Sequence, residues 1–410
     1  SRHRRAPAGR TPHDGALLMV SRSVAPAAAT GGPAASRRIG SIDALRGLVM
    51  LLMLVDHVRE FFYLHAQVRD PMDLAATPPD LFLTRAASHL CAPVFVLLTG
   101  LSACLYGQKH GRRSTAAFLL KRGLLLILLE VTLVSFAWAG SVRPSILYLQ
   151  VIWVIGLCMV SLAGLLWLPR LALVAGALAL MLGHNLLDGI AIRADEPGYV
   201  LWSILHQRGM IALPWGGLAR TSYPLLPWIG VIAAGYALGP LFAGGVDPAR
   251  RRARLLGLGA AALVGFLALR VLNGYGEPVP WQPGATPLAT ALSFVNLTKY
   301  PPSADFLLLT LGLGLGLLAL FETLPQRLLG GLRVFGGAPL FFYLLHLALL
   351  RFLYDGAAAL GLAGASGRVE AGSPLALWLI AAAVSVPLWL ACRAMVRLKR
   401  ASTWPALSYL

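Results

Sequence analysis

The sequence predicts an all-α fold, a polytopic integral-membrane helix bundle with about ten transmembrane helices. Three observations carry this. Hydrophobic residues make up 57% of the 410 residues and charged residues 13%, against roughly 25% charged in a soluble domain. The mean hydropathy is +0.71. The apolar residues also gather in stretches near the length that crosses a bilayer, about 20 residues. So few charges cannot cover a surface in water. An ordinary soluble enzyme, a disordered protein and a DNA-binding protein are excluded.

Residues 1–38 are rich in Ala, Arg, Pro, Gly and Ser and lack a hydrophobic period. They read as a disordered basic tail. Residues 39–400 read as a single transmembrane domain, and 401–410 as a short cytoplasmic tail. The apolar stretches lie near 45–64, 82–105, 116–138, 146–167, 171–190, 224–243, 254–273, 304–323, 332–354 and 373–394. The fifth is interrupted by His184, Asn185 and Asp188.

The charges orient these stretches. With the N-terminus in the cytoplasm, the inner segments hold the tail arginines, Lys109, Arg112, Arg113, Arg170, Arg250, Arg251, Arg252, Arg254, Arg327, Arg333, Arg393, Arg397, Lys399 and Arg400. Far fewer basic residues fall outside, which is the positive-inside bias. Both termini are then cytoplasmic, and the Arg/Ala-rich tail fits a bacterial inner (cytoplasmic) membrane. The net charge of +18 orients the chain and meets anionic lipid; it is not a nucleic-acid footprint. Cys91, Cys104, Cys158 and Cys392 fall inside apolar runs and read as small buried hydrophobes, not a disulfide framework or a zinc site.

Ionisable residues inside the spans carry the functional signal, because each costs about 2.5 kcal/mol or more at the bilayer centre. His57, beside Asp56, lies roughly 10 Å from the outer end of the first span, and His89 is equally deep in the second. Glu130, Gln150, His184 with Asn185 and Asp188, and His346 fall at similar levels. Together they predict one polar chamber near the exterior face. Adjacent Asp56 and His57 point about 100° apart, whereas Asp56 and Arg59 can pair at i, i+3. At the inner end, Ser41, Asp43 and Arg46 read as a helix start, or as a phosphate contact through Arg46.

Three further features have two readings each. Pro93, four residues after His89, predicts a kink in the second span. The segment Asn296-Leu297-Thr298-Lys299-Tyr300-Pro301-Pro302-Ser303 is either a lid carrying Lys299 or a stiff turn. Gly312, Gly314 and Gly316 mimic a nucleotide loop, but lie in an apolar span and predict close helix packing.

Several of these residues resemble a known family. The run Arg38-Ile39-Gly40-Ser41-Ile42-Asp43-Ala44-Leu45-Arg46-Gly47, followed by Asp56-His57, is similar to the opening of bacterial membrane proteins related to heparan-α-glucosaminide N-acetyltransferase. The similarity continues in Asp70-Pro71-Met72-Asp73-Leu74, in Thr84-Arg85 through His89-Leu90-Cys91-Ala92-Pro93, in Tyr223-Pro224 to Trp228, in Asn296 to Pro302, and in Phe341-Phe342-Tyr343-Leu344-Leu345-His346. The resemblance implies a transmembrane acyltransferase that takes an acyl group, acetyl above all, from cytoplasmic acyl-CoA to a sugar or glycoconjugate acceptor on the exterior side. His57 matches the first-span histidine of the related O-acyltransferases. The lysosomal enzyme's histidine context is matched here only by His65-Ala66.

That chemistry needs a base for the acceptor proton and donors for the oxyanion. His57 or His89 can be the base, with Asp56 or Glu130 orienting the ring. The other histidine, Lys299 or Gln150 can face the oxyanion. Asp43, Arg46, Lys121 and Arg122 are the candidates for the CoA side. Asp70, Asp73, Gln150, Asn296, Lys299 and His346 are the candidates for the acceptor side. No metal is expected, since the histidines lie on different spans; a homodimer stays open. The rival reading is a proton-coupled transporter of a small polar solute, because proton relays use the same intramembrane groups.

Overall fold

A computed structural model describes residues 39–402, 404 and 407. The tail expected over 1–38 lies outside the described residues, as does most of the C-terminal segment. The helices, in chain order, are α1 (Gly40–Phe62), α2 (Pro79–Ala87), α3 (Cys91–Leu129), α4 (Ser135–Ala139), α5 (Val151–Leu165), α6 (Arg170–Gly183), α7 (Tyr199–Leu205), α8 (Leu226–Leu238), α9 (Pro248–Leu272), α10 (Pro287–Phe294), α11 (Ala304–Phe321), α12 (Gln326–Gly336), α13 (Pro339–Ala359) and α14 (Pro374–Ala401). Among the described residues, three short strands, β1 (Ile146–Leu149), β2 (Met210–Ala212) and β3 (Leu218–Thr221), modify the all-α expectation. Their order is β1-β3-β2, with β1 parallel and β2 antiparallel to β3.

Among the described residues, five helical segments are long and apolar enough to cross a membrane: Arg170–Leu187, Pro248–Leu272, Ala304–Phe321, Pro339–Ala359 and Pro374–Ala401. This is a helical membrane protein. The expected ten stretches do not all meet that standard, for identifiable reasons. The first helix carries Asp43, Arg46, Asp56, Arg59 and Glu60. The second and third stretches run together as α3, broken at Gly111, where φ is 78° and ψ 166°. Tyr106 and Phe118 stack with centroids 4.5 Å apart across this break. In an unbroken helix twelve residues would separate them by about 18 Å, so α3 is a hairpin of two antiparallel arms. The helices α5 and α8 are short, at 15 and 13 residues.

Glycine permits the closest crossings. A Cβ on Gly47 would lie 2.0 Å from the Leu332 carbonyl oxygen, and one on Gly336 1.8 Å from that of Asp43. The backbones of α1 and α12 therefore touch, as small-residue crossings in membranes do. Gly312 meets Gly259 of α9 in the same way, with a Cβ 3.1 Å from its carbonyl oxygen; this is helix packing and not a phosphate loop. Pro93 makes no mid-helix kink. One 3-10 turn, Ser88–Leu90, separates α2 from α3 and leaves Pro93 in the first turn of α3, where its missing N–H was unpaired anyway. The four cysteines are buried and free.

Loops meet at two ends of the bundle. At one end Ala371 N–H donates to Phe62 O, Leu218 N–H to Ser145 O, Met72 N–H to Asn296 and Ala304 N–H to Asn185. At the other, Arg46 donates to Gly336 O and Ser102, Arg170 to Ala237 O, and Arg251 to Glu322.

Candidate functional site

Residues Asp56 and His57 leave α1 on different faces, and each enters its own network. His57 Nδ1 lies 2.6 Å from His346 Nε2 of α13, with the rings nearly parallel and 5.0 Å apart. His346 Nδ1 lies 2.9 Å from the Phe342 carbonyl oxygen. A carbonyl only accepts, so His346 carries its proton on Nδ1. In the neutral ring Nε2 then holds a lone pair and accepts from His57 Nδ1–H. His57 Nε2 is thereby left unprotonated, which is the form a base requires. It makes no hydrogen bond among the described residues. Trp138 packs edge-on to His57 at 5.2 Å.

Asp56 enters an ion network. It accepts from Arg59 at 3.0 Å, the predicted i, i+3 pair, and from Arg85 at 2.7 Å. Arg85 also donates to Asp70 at 2.7 Å, and His89 Nε2 lies 3.6 Å from the other Asp70 oxygen. Glu60 approaches Arg59 at 3.4 Å. The Lys299 ammonium is 4.0 Å from Asp56, beyond hydrogen-bond distance, and 5.3 Å from the Tyr300 ring centre. Three carboxylates thus face three cations. Arg59, Arg85 and Lys299 are 2%, 4% and 3% exposed, a burial that charges tolerate only when paired. Burial pushes the Asp70 carboxyl up, but Arg85, with His89 and Lys299, outweighs it and holds the group well below the usual carboxylate range.

The Asn296–Ser303 segment is a braced turn. Asn296 clamps Met72, accepting from its N–H at 2.9 Å and donating to its carbonyl at 2.7 Å. Glu277 accepts from Thr298 N–H, the Thr298 hydroxyl and the Ser303 hydroxyl. Buried Arg270 donates to the carbonyls of Val279, Ser293, Phe294 and Asn296. The turn delivers Lys299 to Asp56 and sets Tyr300 against Tyr223, hydroxyl to hydroxyl at 3.1 Å.

The structure therefore brings Asp56, Asp70, His89 and Lys299 together, and His57 with His346. Other candidates stand elsewhere. Glu130 begins a π-helical turn and accepts from Gln150 N–H at 3.3 Å and Trp153 N–H at 3.1 Å. It serves the orphan donors at the start of α5. Gln150 is the N-cap of that helix. Asp73 is exposed and accepts from Ala75 N–H. At the far end Arg46 is tied to Asp43 at 2.9 Å as well as to Gly336 and Ser102. Lys121 is exposed and Arg122 lies over Phe118 at 5.8 Å. His65 packs on Tyr63, 3.8 Å from Glu370.

Arg85 is the hub that the sequence reading passed over as a candidate. Its signal was present: it lies four residues before His89, hence on one helical face, inside a stretch where a charge is costly. Tyr223 and Tyr300 lie in segments that carry the family resemblance but had no signal for a role, and Glu277 had none at all, because loops set their positions.

The family described as heparan-alpha-glucosaminide N-acetyltransferase, catalytic, matches residues 38–270, more than half of the chain. The chain belongs to this family. Comparison with curated proteins gives no match. As a heparan-alpha-glucosaminide N-acetyltransferase family member it has a transmembrane acetyltransferase-type function. The matched region contains α1, α2 and α3, and so His57, Asp56, Asp70, Arg85 and His89; Lys299 and His346 lie beyond it.

Proposed function

We propose that the protein moves an acetyl group from cytoplasmic acetyl-CoA to a hydroxyl or amine of a sugar or glycoconjugate on the exterior side. The observation that carries this is the relay Phe342 O, His346, His57, which leaves His57 Nε2 as the acceptor of a proton. In the step, the acceptor O–H or N–H attacks the thioester carbonyl while His57 Nε2 takes its proton. The new acceptor–carbon bond forms, the carbon–sulfur bond breaks, and the proton passes to the departing CoA thiolate. His346 orients the ring and shares the charge that develops on it. Lys299, close to Asp56 but not hydrogen-bonded to it, supplies a donor for the oxyanion. Asp56, Asp70 and Arg85 hold Lys299 and His89 in place.

The chain crosses a bacterial inner membrane ten times with both termini inside. Alternation of the loop contacts between the two ends of the bundle supports this, with α3 counted as two arms. CoA phosphates meet the basic end, at Lys121, Arg122 and Arg250; Arg46, held by Asp43, shapes that mouth.

The test is acetyl transfer from labelled acetyl-CoA in inverted vesicles. Transfer by wild type, lost in His57→Ala with folding intact, is the expected result. No transfer to any glycan acceptor, or transfer unchanged in His57→Ala, would overturn the reading. Direct transfer predicts no label on the protein when acceptor is absent.

A further inference from the structure

A second group of side chains lies apart from the acyl-transfer network. His184 follows α6, Asp188 follows it by one helical turn, and His206 caps the C-terminus of α7. Their nitrogen and carboxylate oxygen atoms all lie within 4.8 Å of one another. His184 and His206 are 3% and 2% exposed. Neither ring nitrogen of either histidine makes a hydrogen bond among the described residues. Two buried imidazoles whose nitrogens lack well-formed hydrogen bonds are costly. His206 Nε2 lies 3.1 Å from Asp188 Oδ1. That separation is close to what two ligands of one ion need: zinc distances of about 2.0–2.2 Å put neighbouring tetrahedral ligands about 3.3–3.6 Å apart.

The carboxylate is already oriented. Asn185 donates from Nδ2 to Asp188 Oδ2 at 2.8 Å and accepts through Oδ1 from Ala304 N–H at 2.9 Å. Supporting hydrogen bonds of this kind fix metal-ligating carboxylates. Trp202 packs 5.2 Å from the His206 ring.

We infer that His184, Asp188 and His206 bind a divalent transition metal of the zinc class, in a tetrahedral site whose fourth position faces outward beside exposed Asp188. Two imidazoles and one carboxylate select zinc over magnesium or calcium, which prefer oxygen ligands alone. The ion ties the end of α6 to the end of α7. Through Asn185 and Ala304 it reaches the start of α11, directly after the braced turn that holds Lys299. It staples the loops over the site and takes no part in acyl transfer.

The experiment is metal analysis of the purified full chain in detergent, stripped with chelator and then titrated with Zn2+, Co2+ or Mg2+. Wild type is expected to take up one Zn2+ per chain and to show the visible bands of tetrahedral Co2+. Trp202 emission is expected to respond to Zn2+, and Mg2+ not to compete. Binding is expected to be lost in His184→Gln and His206→Gln. Asn185→Ala, which keeps all three ligands, is expected to weaken it by about 10–100-fold. Wild type without stoichiometric Zn2+ and without Co2+ bands would overturn the inference, whatever the variants do. So would Zn2+ uptake unchanged in folded His206→Gln. None of these readouts uses acetyl transfer, so they stand or fall apart from the proposed function.

Discussion

His346 presents Nδ1 to a backbone carbonyl, and this contact assigns the protons of the two rings in their neutral form. Residue substitutions test the relay directly. His57→Ala removes the base, and transfer is expected to fall about 10²–10⁴-fold, with melting curves used to separate this loss from the cost of the cavity and the unpaired His346 Nε2. His346→Ala frees His57 to adopt either tautomer. Its kcat is expected to fall while the KM for acetyl-CoA holds, and His346→Gln, which can still accept from His57, recovers part of the loss. Unchanged kcat in His346→Ala would remove His346 from the relay. Asp70 gives a second test, through pH. Its folded value is depressed, so its ionised form contributes stability above the unfolded carboxylate value, about 3.9. That contribution fades as pH falls through this value toward the folded one. Asp70→Asn is therefore expected to melt well below wild type near about pH 6, breaking a buried pair worth about 3–5 kcal/mol, with the gap closing as pH falls. A gap independent of pH would exclude this role. At this scale the sequence singled out ionisable residues inside apolar stretches, because a charge there is costly. It did not show partners: Asp56 and His57 are neighbours in the chain, yet one meets Arg85 and the other His346.

Elements are held by their crossings. The α1–α12 crossing leaves no room for a side chain, since Gly47 and Gly336 each face a backbone carbonyl within 2.0 Å of a built Cβ. Gly47→Ala must push two helices apart, and overpacking of this kind costs about 1–3 kcal/mol or more. Gly316, in α11, meets nothing within 4 Å, so Gly316→Ala is expected to be neutral or slightly stabilising through helix propensity. Melting curves of the two variants in detergent check the contrast, and equal effects would refute the packing argument. The length of the apolar stretches made the long helices legible, but not their ends. Pro93 reads as a kink only if the helix begins before His89, and the 3-10 turn at Ser88–Leu90 starts it afterwards. Glu130 was legible as a buried carboxylate. Its service to α5 depends on the reversal between α4 and β1, a tertiary fact. The strands were invisible because β1 lies within an apolar run that continues into α5.

For the whole molecule, two ends of unlike chemistry are the organising feature. Phe62, Met72, Ser145, Asn185, Asn296 and Ala371 are joined at one end, and Arg46, Ser102, Arg170, Arg251 and Gly336 make contacts at the other. Charge bias along the sequence divides the loops into the same two sets, because lysines and arginines are retained on the cytoplasmic side. The two lines of argument are independent, since one counts charges and the other follows hydrogen bonds. They make one prediction about the membrane. The native cysteines are buried, so single introduced cysteines report topology without removing them. In intact cells, Arg193→Cys and Ser366→Cys are expected to react with an impermeant maleimide, while Lys109→Cys and Arg250→Cys react only after lysis. Lys109 sits beside the Gly111 break, so its protection also tests whether α3 turns back at the inner face. Labelling of Lys109→Cys from outside, or protection of Arg193→Cys, would break the alternation. It would also put His57 on the wrong side for an exterior acceptor.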